Sequence, residues 1–336
     1  MKVVVLIDRE TTFDHDPEFT GATDDVRESM EFHIITAIRE LNYDAVVVPF
    51  GPDPLESVRS ITDIKPDIVF NLTEHFRGNR RQDANIAGLL ELMDIPFTGT
   101  SAEGLLLCRD KITAKKLLGY HRIRLPQFFS VPPITKGKIK LPKRIPFPLM
   151  VKPALEDGSD GISMASIVKD TDELKTRIKM IHDRMSQPAL CEEYIEGREI
   201  YVGIIGNDRL TAYPAREIRF GKTDEGGPQI ATAKVKWDEE YRKKWNIEYV
   251  HAELSPQQEL MVGRISKRIY RALQIRDYGR IDLRLTSGGE VVFIEANPNP
   301  NLAEGEDLAE SAQKAGVDHN MLIDRIIKFA LQRYRR

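Results

Sequence analysis

A parallel-sheet α/β domain followed by α+β structure is the fold class this sequence predicts, and three observations carry the prediction. Short β-branched runs alternate with helical spacing through the first hundred residues, a proline-marked stretch interrupts the middle, and the remainder mixes strand runs with helices.

VVVLI at 3–7 and AVVVPF at 45–50 read as strands, and between them Val26, Met30, Ile34, Ile38 and Leu41 recur at helical spacing. DIVFNL at 67–72 precedes a second apolar helix face of Ile86, Leu89, Leu90 and Met93; FTGT at 97–100 then closes the unit. A helix carrying Lys111, Ala114 and Leu117 leads into the connection, where Pro126, Pro132, Pro133, Pro142, Pro146 and Pro148 resist regular structure. Beyond it, PLMVKP at 148–153 and ALCEEYI at 189–195 flank a polar helix around 171–185. Further strands are expected at 199–205, 280–285 and 291–295, with helices near 256–273 and 320–334.

The 336 residues are 41% hydrophobic and 30% charged, enough for two or three packed domains. A net charge of -3 offers no broad basic field for nucleic acid. Cys108 and Cys191 form no CxxC pair, so neither a disulfide framework nor a structural zinc site is expected. The first apolar run is too short for a signal peptide and no window approaches a membrane span, so a cytoplasmic protein without membrane or nucleic-acid partners is expected.

GRIDLRLTSGGEVVFIEANPNP at 279–300 reads as a hairpin. Alternation sends Ile281, Leu283 and Leu285 to one face and leaves Arg280, Asp282 and Arg284 on the other, with Val292 and Ile294 inward on the second strand. A four-residue connection at 287–290 sets Asp282 opposite Glu295, so that two carboxylates and the Asn297 amide oxygen converge. Such hard oxygen donors suit magnesium, which takes one or two carboxylates and leaves its other positions to water and phosphate. Arg280 then faces charge developing on a transferred group. The competing reading is a solvated hairpin with alternating charges.

Two further segments suit a nucleotide. VKPALEDGSDGIS at 151–163 offers Lys152 for phosphate and Gly158, Ser159 and Gly161 in a loop that can approach an anion; a surface turn uses the same residues. CEEYIEGREIYVGIIG at 191–206 offers backbone groups at 193–195 for a purine and Glu199 for ribose hydroxyls, or else an ordinary charged hairpin. A P-loop is excluded, since Arg216 stands where Gly221-Lys222-Thr223 needs its upstream glycine. His75 beside Glu74 is a candidate acid or base, with a structural role as the alternative.

Together with NIAGLLELMDIPFTGT at 85–100, RDK at 109–111, EEYIEGRE at 192–199 and EAN at 295–297, these segments resemble the ATP-grasp superfamily, in its D-alanine:D-alanine ligase-like branch, over essentially the whole chain. The resemblance implies an ATP-grasp fold: an N-terminal domain at 1–104 and two α+β subdomains, 105–190 and 191–336, enclosing the nucleotide. It implies a ligase that forms an amide bond through an acyl phosphate, using ATP and Mg2+ or Mn2+ and releasing ADP and phosphate. Lys111, Lys152 and Lys236 would contact ATP phosphates, with Lys234 competing for the last role. Ser159 would sit in the loop covering the phosphates, Glu192, Glu193, Tyr194 and Ile195 at adenine, and Glu199 at ribose. Asp282, Glu295 and Asn297 would ligate the metal, and Arg280 would stabilise the reacting carboxylate.

Departures gather on the substrate side. Thr23 stands where the branch has a glutamate for the first substrate's ammonium. Within the segment holding Asn299, Asn301 replaces a glycine that exposes its N–H to the oxyanion, and Glu306 replaces a serine that grips the second substrate's carboxylate. The expectation is therefore a ligase of another small amino acid or peptide. The alternatives are a true D-alanine:D-alanine ligase of cell-wall synthesis, or a kinase or carboxylase on the same fold. The resemblance also allows a homodimer through the first domain.

Overall fold

The computed structural model describes residues 1–8, 24–133, 139–144, 146–156, 158, 160–221 and 230–335. Its first sheet is parallel, in the order β2-β1-β3, from β1 (Lys2–Asp8), β2 (Asp44–Phe50) and β3 (Ile68–Asn71). β1 is the middle strand, so Val3, Val4, Val5 and Leu6 are wholly buried, as a strand covered on both faces must be. Helices α1 (Asp24–Arg27) and α2 (Met30–Glu40) precede β2, α3 (Pro54–Ile64) precedes β3, and α4 (Asp83–Leu92) follows it. Ser29 separates the first two helices, its hydroxyl accepting from the Phe32 N–H as an N-cap. Met93 falls past the end of α4 and is exposed rather than on the expected buried face. The FTGT segment does extend the sheet: the Thr98 N–H donates to the Val69 carbonyl, beside a parallel bridge from Phe97 to Val69.

Helices α5 (Ala102–Arg109) and α6 (Lys111–Tyr120) lead to an antiparallel sheet of β4 (Phe128–Val131), β5 (Leu149–Pro153), β6 (Ile167–Val168) and β7 (Ala189–Glu193), ordered β4-β7-β5-β6. α7 (Thr171–Met185) lays Leu174, Ile178 and Ile181 on it. The division expected between 190 and 191 falls inside β7, which pairs with both β4 and β5; drawn after Glu193, it leaves this sheet whole.

The third sheet holds β8 (Arg198–Ile205), β9 (Thr211–Ala212), β10 (Arg216–Arg219), β11 (Glu248–His251), β12 (Tyr278–Leu285) and β13 (Val291–Asn297). Its order is β11-β10-β8-β12-β13, with β9 on β8. α8 (Ala233–Trp237) and α9 (Glu239–Lys244) join β10 to β11, and α10 (Pro256–Ala272) covers one face. Ile200, Val202, Ile204, Ile281, Leu283 and Leu285 enter that core, so pleating turns Glu199, Tyr201, Arg280, Asp282 and Arg284 to the opposite face. There α11 (Asp307–Lys314) approaches β8 so closely that a Cβ on Gly203 would lie 2.3 Å from Leu308 Cδ1. α12 (His319–Tyr334) instead returns to the first sheet, where Leu322, Ile323, Ile326 and Ile327 share a core with Val3, Val5 and Ile34.

The hairpin shows a compensated register. Asp282 pairs with Glu295 and Arg280 with Asn297, as the alternation predicted. The turn is nevertheless one residue shorter than expected, because Leu285 pairs with Val291 and the Thr286 N–H donates to the Glu290 carbonyl; a bulge at Ile294 takes up the extra residue before Glu295. The inward set on β13 is therefore Val291, Phe293 and Ala296, not Val292 and Ile294. Ile294 turns to the polar face beside Glu295, where both line a cleft.

Candidate active site

That cleft lies between the second and third sheets. Met150, Ile162, Ile230, Ala231 and Ile294 give it apolar walls, while Lys152, Glu192, Glu199, Lys236, Asp282 and Glu295 give it charge. Such a slot, with apolar walls and convergent charged groups, suits a flat heterocycle carrying an anion.

Four acids in it, Asp282, Glu295, Glu192 and Glu199, each have a cation partner, while Glu193 accepts from the Gln127 N–H. Arg280 grips Asp282 in a bidentate pair, Nε to Oδ1 at 2.8 Å and Nη2 to Oδ2 at 3.1 Å, and its guanidinium lies over the Tyr201 ring, 5.0 Å from the centroid. Lys111 Nζ lies 2.9 Å from Glu295 Oε1 and donates to the Glu156 carbonyl. The Asp110 carboxylate accepts from the Ile112 and Thr113 N–H groups and so starts α6 at Lys111. Glu192 sits between two lysines, with Lys152 Nζ at 2.6 Å from Oε1 and Lys115 Nζ at 2.9 Å from Oε2. Glu199 pairs with Arg284 at 2.9 Å and accepts from the Tyr201 hydroxyl at 2.8 Å.

These pairings set the protonation states. Burial alone would push Glu295 up, but Lys111 above all, then Lys152 and Lys236, hold its carboxyl down to about 2. Burial likewise opposes ionisation of Glu192, and Lys115 and Lys152 outweigh it, so its carboxyl falls below the ordinary range. Burial draws the Lys115 ammonium down to about 8 against the pull of Glu192. Asp282 goes the other way: desolvation raises its carboxyl despite Arg280.

Among the described residues no group of three or more His, Cys, Asp or Glu side chains can hold a metal. A cation here would rest on two acids, an amide and the nucleotide's own oxygens, the sparse set magnesium accepts. The donor set fits that demand. Lys111 occupies one oxygen of Glu295 and leaves the other open. The Asn297 Nδ2 donates to Asp282 Oδ2 at 3.1 Å, so half a turn of that amide presents its oxygen and frees an Asp282 lone pair.

The purine edge is narrower than expected. The Glu193 N–H donates to the Gln127 carbonyl and the Tyr194 N–H to the Pro148 carbonyl, which leaves the Ile195 N–H as the donor of this edge. Lys236 is half-buried and lines the cleft, whereas Lys234 is exposed and does not. Ser159 and Thr23 lie outside the described residues.

The substrate-side residues behave differently. Asn299, expected among the substrate residues with Asn301 and Glu306, accepts at its Oδ1 from the Thr100 N–H at 3.0 Å, against Gly99, so its amide ties the first sheet to the hairpin. The Asn301 Oδ1 accepts from the Ala303 N–H at 2.9 Å, a local turn. Glu306 is the N-cap residue of α11 without a side-chain capping bond, and burial, then Asp307, push its carboxyl up. Asp307 reaches Arg280 Nη1 at 3.1 Å and Arg216 Nε at 3.3 Å, which brings this helix end to the cleft. His75 lies apart, on the first sheet, 3.6 Å from Asp8 Oδ2.

Four site residues escaped the sequence reading: Lys115, Tyr201, Arg284 and Asp307. Lys115 follows Lys111 by one helical turn, and Arg284 shares the polar alternation of Arg280 and Asp282, so both left a signal. Tyr201 and Asp307 left none.

A family model described as D-ala D-ala ligase C-terminus matches residues 131–328. The chain is 31% identical to an uncharacterized protein, y4sG, of Sinorhizobium fredii, over 84% of this chain and 78% of that one. It is 28% identical to the D-alanine--D-alanine ligase of Aquifex aeolicus, over 88% of this chain and 92% of the other. Its fold is that of the D-alanine--D-alanine ligase from Bacillus anthracis complexed with ATP, with a TM-score of 0.76, 22% identity and coverage of 100% and 99% of the two chains. No helix among the described residues is long and apolar enough to cross a membrane.

Proposed function

Since the chain belongs to the D-Ala–D-Ala ligase family of ATP-grasp enzymes, ATP-binding ligases that form carbon–nitrogen bonds, we propose that it joins a carboxylate to an amine through an acyl phosphate, with a second substrate other than D-alanine. The observation that carries this reading is the convergence of Lys111, Lys152 and Lys236 on the Asp282–Glu295 pair, at the end of a cleft whose other wall offers the Ile195 N–H and Glu199.

In this reading adenine lies between the apolar walls, the Ile195 N–H meets its edge, and Glu199 accepts from the ribose hydroxyls. Lys152 and Lys111 lie close enough to draw the phosphates toward the hairpin, each leaving part of its carboxylate partner as it does so. Asp282, Glu295 and Asn297 would hold magnesium, which would supply charge neutralisation of the triphosphate when bound. The substrate carboxylate attacks the γ-phosphate in line, and ADP is the leaving group. Arg280, fixed by Asp282 and Asp307, faces the carbonyl oxygen as the amine adds, stabilising its charge before phosphate departs.

The substrate side supports a change of amine. Glu306 adds a half-buried carboxylate next to Asp307, and two such charges repel a free carboxylate by about 1 kcal/mol or more. An amino acid whose carboxylate is masked as an amide, or a substrate bearing an amine there, fits better. The test is phosphate release over a panel of amino-acid pairs with mass detection of the product. Release should require both an acid and an amine; release with an acid alone, or onto a stable phosphorylated product, would overturn the ligase chemistry.

A further inference from the structure

Glu199 is held from two sides, one bond to each carboxylate oxygen. Arg284 stands directly opposite it in the β8–β12 register and donates from Nη2 to Glu199 Oε2 at 2.9 Å. Its Nη1 donates to the Gly197 carbonyl at 3.1 Å, and the Tyr201 hydroxyl takes the other carboxylate oxygen at 2.8 Å. Gly197 permits this approach: its φ is +150°, and a Cβ there would lie 2.4 Å from the Leu285 carbonyl oxygen.

The arrangement is costly as architecture. Arg284 is only 6% exposed and its Nε is buried without a hydrogen-bond partner. A buried ion pair seldom outperforms apolar residues of the same volume in holding two strands together. β8 and β12 are already registered along their whole length, from Tyr278–Ile205 to Leu285–Arg198, so the sheet does not depend on this pair. What it does fix is the direction of the carboxylate. Each Glu199 oxygen has one lone pair engaged and one left, and both Glu199 and Arg284 line the cleft.

We infer that Arg284 is a positioning residue for the nucleotide: it holds Glu199 in the one orientation that accepts from the ribose hydroxyls of ATP. The inference rests on the nucleotide reading of the cleft. It makes ribose recognition depend on a side chain that acts through the carboxylate.

Calorimetric titration with MgATP and with Mg-2′,3′-dideoxy-ATP tests it on the full chain. Wild-type protein should prefer ATP by about tenfold, the worth of one charge-assisted hydrogen bond. In Arg284→Met the affinity for ATP should fall about tenfold while that for the dideoxy nucleotide changes less than about twofold, because only the ribose contact has been lost. Arg284→Lys keeps the charge without the planar fork, and should fall in between. A merely structural pair would weaken both nucleotides alike, and either that result or an undiminished ATP preference in Arg284→Met overturns the inference. Should Arg284→Met not fold, Arg284→Lys decides, and an ATP preference equal to wild type overturns it. Failure of the nucleotide reading itself would show in the wild-type arm, as no binding of MgATP.

Discussion

The cleft wall and the helix end beside it are built on opposite electrostatic rules. In the wall four acids each have a cation within hydrogen-bonding distance: Asp282 with Arg280, Glu295 with Lys111, Glu192 with Lys115 and Lys152, Glu199 with Arg284. At the start of α11, two acids stand in sequence, Glu306 has no capping bond, and the amides of Asn299 and Asn301 serve backbone N–H groups. In the proposed reading, the groups that would handle ATP are preorganised by mutual pairing, whereas those that would select the amine sit on a loop and a helix cap, where a change of side chain disturbs little else.

The sharpest way to break this contrast is Glu192→Ala. It strands Lys115 and Lys152, both almost wholly buried, so unfolding free energy should drop by about 3–5 kcal/mol in urea titration. A drop below about 1 kcal/mol would mean that the wall is not preorganised by pairing. Next comes Asp307→Asn, which removes one anchor of Arg280 and of Arg216. Turnover should fall about tenfold with the KM for ATP unchanged, since Asp307 orients Arg280 and is remote from the nucleotide edge. Equal losses in both parameters would place it in the nucleotide site instead.

Acid exposes the same pairing. The carboxyl of Glu295 is held down to about 2, below its ordinary 4.5, so its contribution to stability is complete above pH 4.5 and lost as pH falls toward 2. Glu295→Gln should therefore flatten that part of the stability curve, as measured by thermal melts across pH 2–5. The smallest expected effect is Glu306→Ser, which breaks no side-chain hydrogen bond at the helix end and should shift stability by under about 1 kcal/mol, while raising the use of amines with a free carboxylate. A large loss of stability would show that Glu306 is structural.

Much of this contrast could be read before the structure. The Asp282–Glu295 pairing followed from alternation together with a four-residue connection, because the side-chain period of a strand admits few registers. The bulge at Ile294 could not be foreseen, since it takes up the residue that a turn one residue shorter than that connection releases. Glu306 was conspicuous as an acid in an unexpected place, yet its neighbour Asp307, which reaches two arginines, gave no signal because its partners lie on β10 and β12, far away in sequence. The Asn299 contact was hidden for the same reason: in sequence it adjoins Glu295 and Asn297, but in space its amide meets Thr100.

The central claim is that ATP-dependent ligation survives here with its second substrate changed, and one measurement bears on it most directly. D-Alanine is supplied as the acid with either D-alanine or its carboxamide as the amine, and ADP, phosphate and the product mass are followed. Phosphate release with a new amide product, several-fold faster for the carboxamide, is the predicted result. Rapid synthesis of D-alanyl-D-alanine, at rates ordinary for an enzyme of this class, would contradict it.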